Sequence, residues 1–172
     1  MEEQENIISL DIKSVLIKTL QFCGFVAIAA VAPYFGNQLV TGSIVNALLF
    51  ISASIMGLEY AFLLCLVPSL ISVYTGLLPL ALAPIIPLII TGNVLLVSVF
   101  LRLNKKGFWF GAMPAVLAKF AFIWVAGVIL ASSVLNGIAK SVLLIISWPQ
   151  LATAILGAII AYFFLKIIIP TK

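Results

Sequence analysis

Apolar residues along this chain come in long unbroken runs, and short polar or Gly/Pro breaks separate them. The run from Ile85 to Leu101 is typical. A spanning β-strand alternates apolar and polar positions, and these runs do not. In lipid every backbone N–H and C=O must be satisfied internally, so a continuous apolar run is read as a helix. A spanning helix needs about 20 residues, so 172 residues allow at most six or seven. The pattern predicts an all-α, polytopic membrane protein: a six-transmembrane-helix bundle over residues 14–172, preceded by a short polar tail at 1–13. The helices are expected at roughly 14–32, 44–56, 59–74, 80–103, 108–132 and 149–169. Residues 33–43 read as the longest polar connection. Gly57 and residues 75–79 read as turns, and residues 133–148 as a loop with an apolar stretch near the surface. Pro84 and Pro87 each remove a helical donor, which predicts a kinked or loosened start to the fourth helix. Pro149 suits a first helical turn.

Composition agrees with this picture. Hydrophobic residues make up 65% of the chain and charged residues 8%, too few to cover a soluble surface, where about 25% is usual. The net charge of +4 lies in loops flanking helices and forms no basic stripe, so nucleic acid is not an expected partner. The positive-inside rule orients the bundle with both termini in the cytoplasm. Lys13, Lys18, Arg102, Lys105, Lys106, Lys166 and Lys172 then lie inside, Lys140 outside and Lys119 within the membrane. The start carries Glu2, Glu3 and Glu5, the opposite of a secretory signal. Cys23 and Cys65 each sit in an apolar run and are expected as buried free thiols.

Candidate chemistry is sparse. The chain has no histidine, which removes the commonest general base and metal ligand. It has no nucleophile elbow, zinc-protease motif or phosphate loop, and no acidic cluster to hold Mg²⁺. No enzyme activity, metal or cofactor is expected. Lys119 is the sharpest feature. It lies about 16 Å along its helix, near the middle of a hydrocarbon core about 30 Å thick. A central lysine costs about 2.5–3.5 kcal/mol on insertion scales. One reading is a lysine facing a cavity that meets an anionic ligand; the other is a lysine bonded to backbone carbonyls freed inside the bundle. Glu59 lies at a turn, at a different depth, and reads as a charge favouring the start of the third helix. Asn46 and Asn93 lie within apolar runs and read either as ligand contacts or as polar glue between helices. Asn37, Gln38 and Thr41, in the 33–43 connection, are further candidate ligand contacts. Small residues at Gly24, Ala27 and Ala30, and at Ala154, Gly157, Ala158 and Ala161, allow close helix approach, within the bundle or toward a partner.

Several stretches together resemble a known family. They are Thr41-Gly-Ser-Ile-Val-Asn-Ala-Leu-Leu-Phe50, Pro68-Ser-Leu-Ile71, Leu82-Ala-Pro-Ile-Ile-Pro87, Thr91-Gly-Asn93 and Leu117-Ala-Lys-Phe120. In order and spacing they look like a small clostridial-type membrane family, identified with the substrate-binding S components of energy-coupling factor (ECF) transporters. The resemblance covers most of the chain from Thr41 to Trp124. It implies six helices, cytoplasmic termini and an outward-facing pocket for a small molecule, in most members a vitamin, a vitamin precursor or a metal ion. It also implies partners, a coupling membrane subunit and two ATPases, and a location in the cell membrane. On this reading Lys119 supplies charge to an anionic nutrient, Asn93 and Asn46 supply hydrogen bonds, and 33–43 forms the lid. Many S components dock through Ala-x-x-x-Ala in the first helix; here Val31 follows Ala27 by four residues, and Cys23 with Ala27 is the nearest approximation. The N-terminal histidines of nickel and cobalt members are missing. The residues alone also leave open a stand-alone carrier, or an assembly protein with no ligand.

Overall fold

The computed structural model describes residues 2–74, 85–133 and 148–169. The turn at 75–79, Pro84, the segment 134–147, Lys140 and Lys172 lie outside the described residues. Six helices account for most of the rest: α1 (Glu2–Val31), α2 (Gln38–Ile55), α3 (Leu58–Tyr74), α4 (Ile86–Leu103), α5 (Phe108–Ser133) and α6 (Trp148–Ile168). Five of them are long and apolar enough to cross a membrane. The chain is a helical membrane protein. The sixth, α3, has 17 residues, about 26 Å at the helical rise, and its apolar part is shorter.

Local rules explain where most helices begin and end. The chain leaves α1 through a 3-10 turn, Ala32–Phe35, with Pro33 in its first positions, and Gly36 closes it with φ of 64°. Asn37 then caps α2: its side-chain oxygen accepts from the backbone N–H of Leu39 at 2.9 Å and Val40 at 3.4 Å, satisfying donors that have no partner in a first turn. The long polar connection expected at 33–43 is therefore two residues between a 3-10 turn and a helix. Gln38 and Thr41 belong to the first turn of α2, and the Thr41 hydroxyl donates to the carbonyl of Ala32 at 2.8 Å. The expected lid is corrected to a capped helix start.

Helix α4 begins at Ile86, which places Pro87 in its first turn. There the missing N–H has no intrahelical acceptor to lose, so Pro87 produces no kink, contrary to the expectation from sequence. Pro68 and Pro114 lie inside α3 and α5. Gly57, with φ of 94°, and Gly107, with φ of 128°, turn the chain between α2 and α3 and between α4 and α5, where side chains are disfavoured.

Packing follows small and polar residues. α2 packs closest with α6, and α4 with α5. A Cβ on Gly42 would lie 2.7 Å from Thr153 Cγ2, and one on Gly157 would lie 2.5 Å from Asn46 Cβ and 2.8 Å from the backbone nitrogen of Ala47. Gly42 therefore faces Thr153 and Asn46 faces Gly157, an ascending register that makes α2 and α6 parallel. Phe50, Phe100 and Phe108 form an aromatic cluster, with ring centroids 5.0 Å apart for Phe50–Phe100 and 5.4 Å for Phe100–Phe108. The order of contacts makes α4 parallel to α2 and α5 antiparallel to both. The core is built mainly from α2, α4, α5 and α6, with Leu49, Phe50, Leu96, Phe100, Val116 and Ala158 fully buried.

Candidate functional site

Three of the six candidate residues converge. Lys119 of α5 is 3% exposed, Asn46 of α2 and Asn93 of α4 are 2% exposed each. The Lys119 Nζ donates to Asn46 Oδ1 at 2.6 Å and to Asn93 Oδ1 at 2.7 Å. Each residue sits near the middle of its helix. Asn46 is eight residues from the start of α2 and nine from its end, Asn93 seven and ten in α4, and Lys119 eleven and fourteen in α5. The cluster thus lies at mid-depth of the bundle.

The amide of Asn46 is fixed from both sides. Its Nδ2 donates to the carbonyl of Gly42, one turn back, at 2.8 Å, and makes a longer contact of 3.4 Å to Thr153 Oγ1. With nitrogen committed there, the oxygen must face Lys119, whose ammonium can only donate. Thr153 in turn donates to the carbonyl of Gln150 at 3.1 Å. A polar chain therefore links α4, α5, α2 and α6 through Asn93, Lys119, Asn46 and Thr153. Glycines make room for it. Gly157 abuts Asn46, Gly42 abuts Thr153, and a Cβ on Gly92 would lie 2.6 Å from Ile123 Cδ1 and 3.5 Å from Lys119 Cγ.

The arrangement replaces the backbone-carbonyl reading of Lys119 and supplies partners that the sequence did not show. The ammonium is not without partners, and its acceptors are side-chain amides, not freed backbone carbonyls. Magnitudes explain why two amides suffice. A hydrogen bond involving a charged group contributes about 1.5–3 kcal/mol, and two of them match the cost of about 2.5–3.5 kcal/mol for a central lysine. Among the described residues no carboxylate reaches Lys119; Glu59 is exposed in the first turn of α3. Among the described residues the positive charge is hydrogen-bonded and meets no carboxylate, its three Nζ–H groups sharing two side-chain acceptors.

The other three candidates are elsewhere. Asn37 is engaged as the α2 cap, Thr41 bonds the end of the preceding turn, and Gln38 is exposed at the α2 start. Thr153 was missed from sequence. Its signal was there, because Thr153, Gly157 and Ala161 recur every four residues and so share one helix face. That face is buried, so the small residues of α6 serve packing within the bundle. Those of α1 do not: Gly24 and Ala27 are exposed, and a Cβ on Gly24 would meet nothing within 4 Å. Both cysteines are free thiols, but only Cys65 is buried; Cys23 is exposed on α1. Among the described residues no group of His, Cys, Asp or Glu is placed to hold a metal ion.

In comparisons with known proteins, no family model, no curated protein and no solved structure matches this chain.

Proposed function

We propose that this protein is a substrate-binding membrane subunit that captures a small anionic solute and hands it to a separate ATP-driven module, as an ECF-type S component does. The observation that carries the reading is the convergence of Asn46, Asn93 and Lys119. They come from three separate stretches that resemble the family, Thr41–Phe50, Thr91–Asn93 and Leu117–Phe120, and they meet at one buried, un-neutralised ammonium. An unneutralised positive charge at mid-membrane favours an anionic partner, and an intramembrane ionisable residue is by default a functional site. Asn46 and Asn93 hold Nζ in place, and its remaining N–H addresses a carboxylate. The parallel register of α2 and α6 supports an even number of chain reversals between them, which is what six spans with both termini on the cytoplasmic side of the cell membrane require. The exposed apolar length of α1 leaves a face for the coupling subunit.

Uptake measured in cells with and without a co-expressed coupling module tests the proposal: accumulation should require the module, and equal accumulation without it overturns the S-component reading in favour of a stand-alone carrier. Mass spectrometry of solute carried through purification identifies the ligand. With that ligand, Lys119→Met should weaken binding by about 2–5 kcal/mol, the range for truncating one partner of a buried charge pair. The fold should persist, because removing a buried ammonium relieves about as much as two stranded amide oxygens cost. Lys119→Arg should also bind poorly, since a planar fork does not replace a point donor between two fixed amides.

A second reading is an assembly protein in which the Lys119 cluster only locks four helices together. The two short hydrogen bonds on Lys119 favour it. Normal affinity in a folded Lys119→Met protein would remove Lys119 from the binding site.

A further inference from the structure

A groove of about 280 Å³ opens at the end of the bundle where α2, α4 and α6 finish and α5 begins. Ser54, Phe100, Asn104, Phe108, Leu165 and Ile169 line it, with Tyr162 and Lys166. Its floor is aromatic and apolar: Phe108 packs against Phe100, Trp109 and Tyr162, at centroid separations of 5.4, 5.4 and 5.5 Å. Its polar atoms come from Ser54, Asn104, Tyr162 and the exposed Lys166. The same end of the bundle carries Arg102, Lys105 and Lys106, all exposed, and Lys106 stands 5.2 Å over the ring of Phe110. Glu59 starts α3 at this end and does not line the groove.

This combination is amphipathic along the membrane normal. Basic and amide groups sit where the helices end, which is headgroup depth, while the aromatic and aliphatic wall continues toward the lipid core. Trp109 and Tyr162 are the residue types that favour this interface, and basic pockets between transmembrane helices are suited to anionic lipid headgroups. The geometry points to a binding site for one anionic phospholipid, with its phosphate at Lys166 and Asn104 and an acyl chain along Phe100, Phe108 and Leu165. The site is remote from Lys119 and is independent of the proposed solute.

Native mass spectrometry and melting curves of the full-length protein test it, with phosphatidylglycerol or phosphatidylcholine added to neutral detergent micelles. Phosphatidylglycerol should remain bound as one copy and raise the melting temperature, whereas phosphatidylcholine at the same concentration should do neither. Lys166→Gln should reduce phosphatidylglycerol retention about fivefold, the effect of one basic side chain near an anionic headgroup. Lys13→Gln, at the start of α1 and outside the groove lining, should leave retention unchanged. Inorganic phosphate should not stabilise the protein, because the acyl wall contributes to the site. Equal retention of the two lipids, unchanged retention in Lys166→Gln, or stabilisation by phosphate alone would each overturn the assignment.

Discussion

Helices α1 and α2 are neighbours in the chain and both are long and apolar enough to cross a membrane, yet they occupy opposite environments. The apolar part of α1 is the more hydrophobic of the two. Between residues 12 and 31 only Ala29 of α1 is buried. Ten residues of α2 are buried, among them Ser43, Asn46 and Ser52. In water the more apolar helix would be inside. In lipid the surroundings are as apolar as leucine, so burial is decided by close packing and by polar groups that need partners. Helix α2 brings an asparagine that holds a lysine, a glycine that faces Thr153, and a small-residue match to α6. Helix α1 brings Leu16, Ile17, Leu20 and Ile28, all exposed, which lipid or a partner subunit solvates equally well.

The comparison can be broken most severely at the α2–α6 seam. Gly157→Ala places a carbon 2.5 Å from Asn46 Cβ and 2.8 Å from a backbone nitrogen, and backbone cannot rotate away. The variant should lose at least about 3 kcal/mol, the upper end of overpacking costs, seen as a large drop in melting temperature or failure to express. A Gly157→Ala protein as stable as the parent would show that α2 and α6 do not pack in this register.

A smaller loss is expected at the lysine. Asn46→Leu leaves the buried ammonium with one acceptor and should cost about 1.5–3 kcal/mol. Combining it with Lys119→Met should restore much of that stability, because neither partner is then stranded. Melting curves of the two single variants and the double variant form a cycle whose coupling measures the pair. Additive losses would mean that the hydrogen bond contributes nothing to the fold.

Matched changes on α1 should cost no stability. Gly24→Ala meets no atom within 4 Å and should gain up to about 1 kcal/mol from helix propensity, and Ile28→Val trims an exposed side chain and should change stability by less than about 0.5 kcal/mol in detergent. A larger loss in either would place α1 in a tight interface within the isolated protein.

The two thiols read the same contrast without any mutation. In detergent a maleimide should label Cys23, which is exposed, and spare Cys65, which is buried and donates to the carbonyl of Ala61 at 3.2 Å. Mass spectrometry should find one adduct until the protein is denatured, then two. Labelling of Cys65 in the folded protein would contradict the packing of α3 against the bundle.

Much of this was legible along the chain, because one-dimensional signals carry it. Unbroken apolar runs identified the helices, and Pro33, Gly57, Gly107 and Pro149 marked breaks close to where they occur. The depth of Lys119, the intramembrane position of Asn46 and Asn93, and the small-residue face of α6 followed from helical periodicity. What the chain did not reveal is which polar groups meet. Asn37, Gln38 and Thr41 read as a loop because Asn, Gly and Thr favour turns, but the side chain of Asn37 satisfies the first donors of α2 and the helix starts there. Pro87 read as a kink because its place relative to the helix start was unknown. Lys119 read as a charge needing a ligand or freed carbonyls, because its partners lie 73 and 26 residues away on helices whose rotation only packing determines. The sequence by itself determined that this is a bundle of membrane-spanning helices with a lysine at its centre. The tertiary structure decided that two asparagines hold that lysine, because rotation and register are chosen where Gly42, Gly92 and Gly157 let backbones approach.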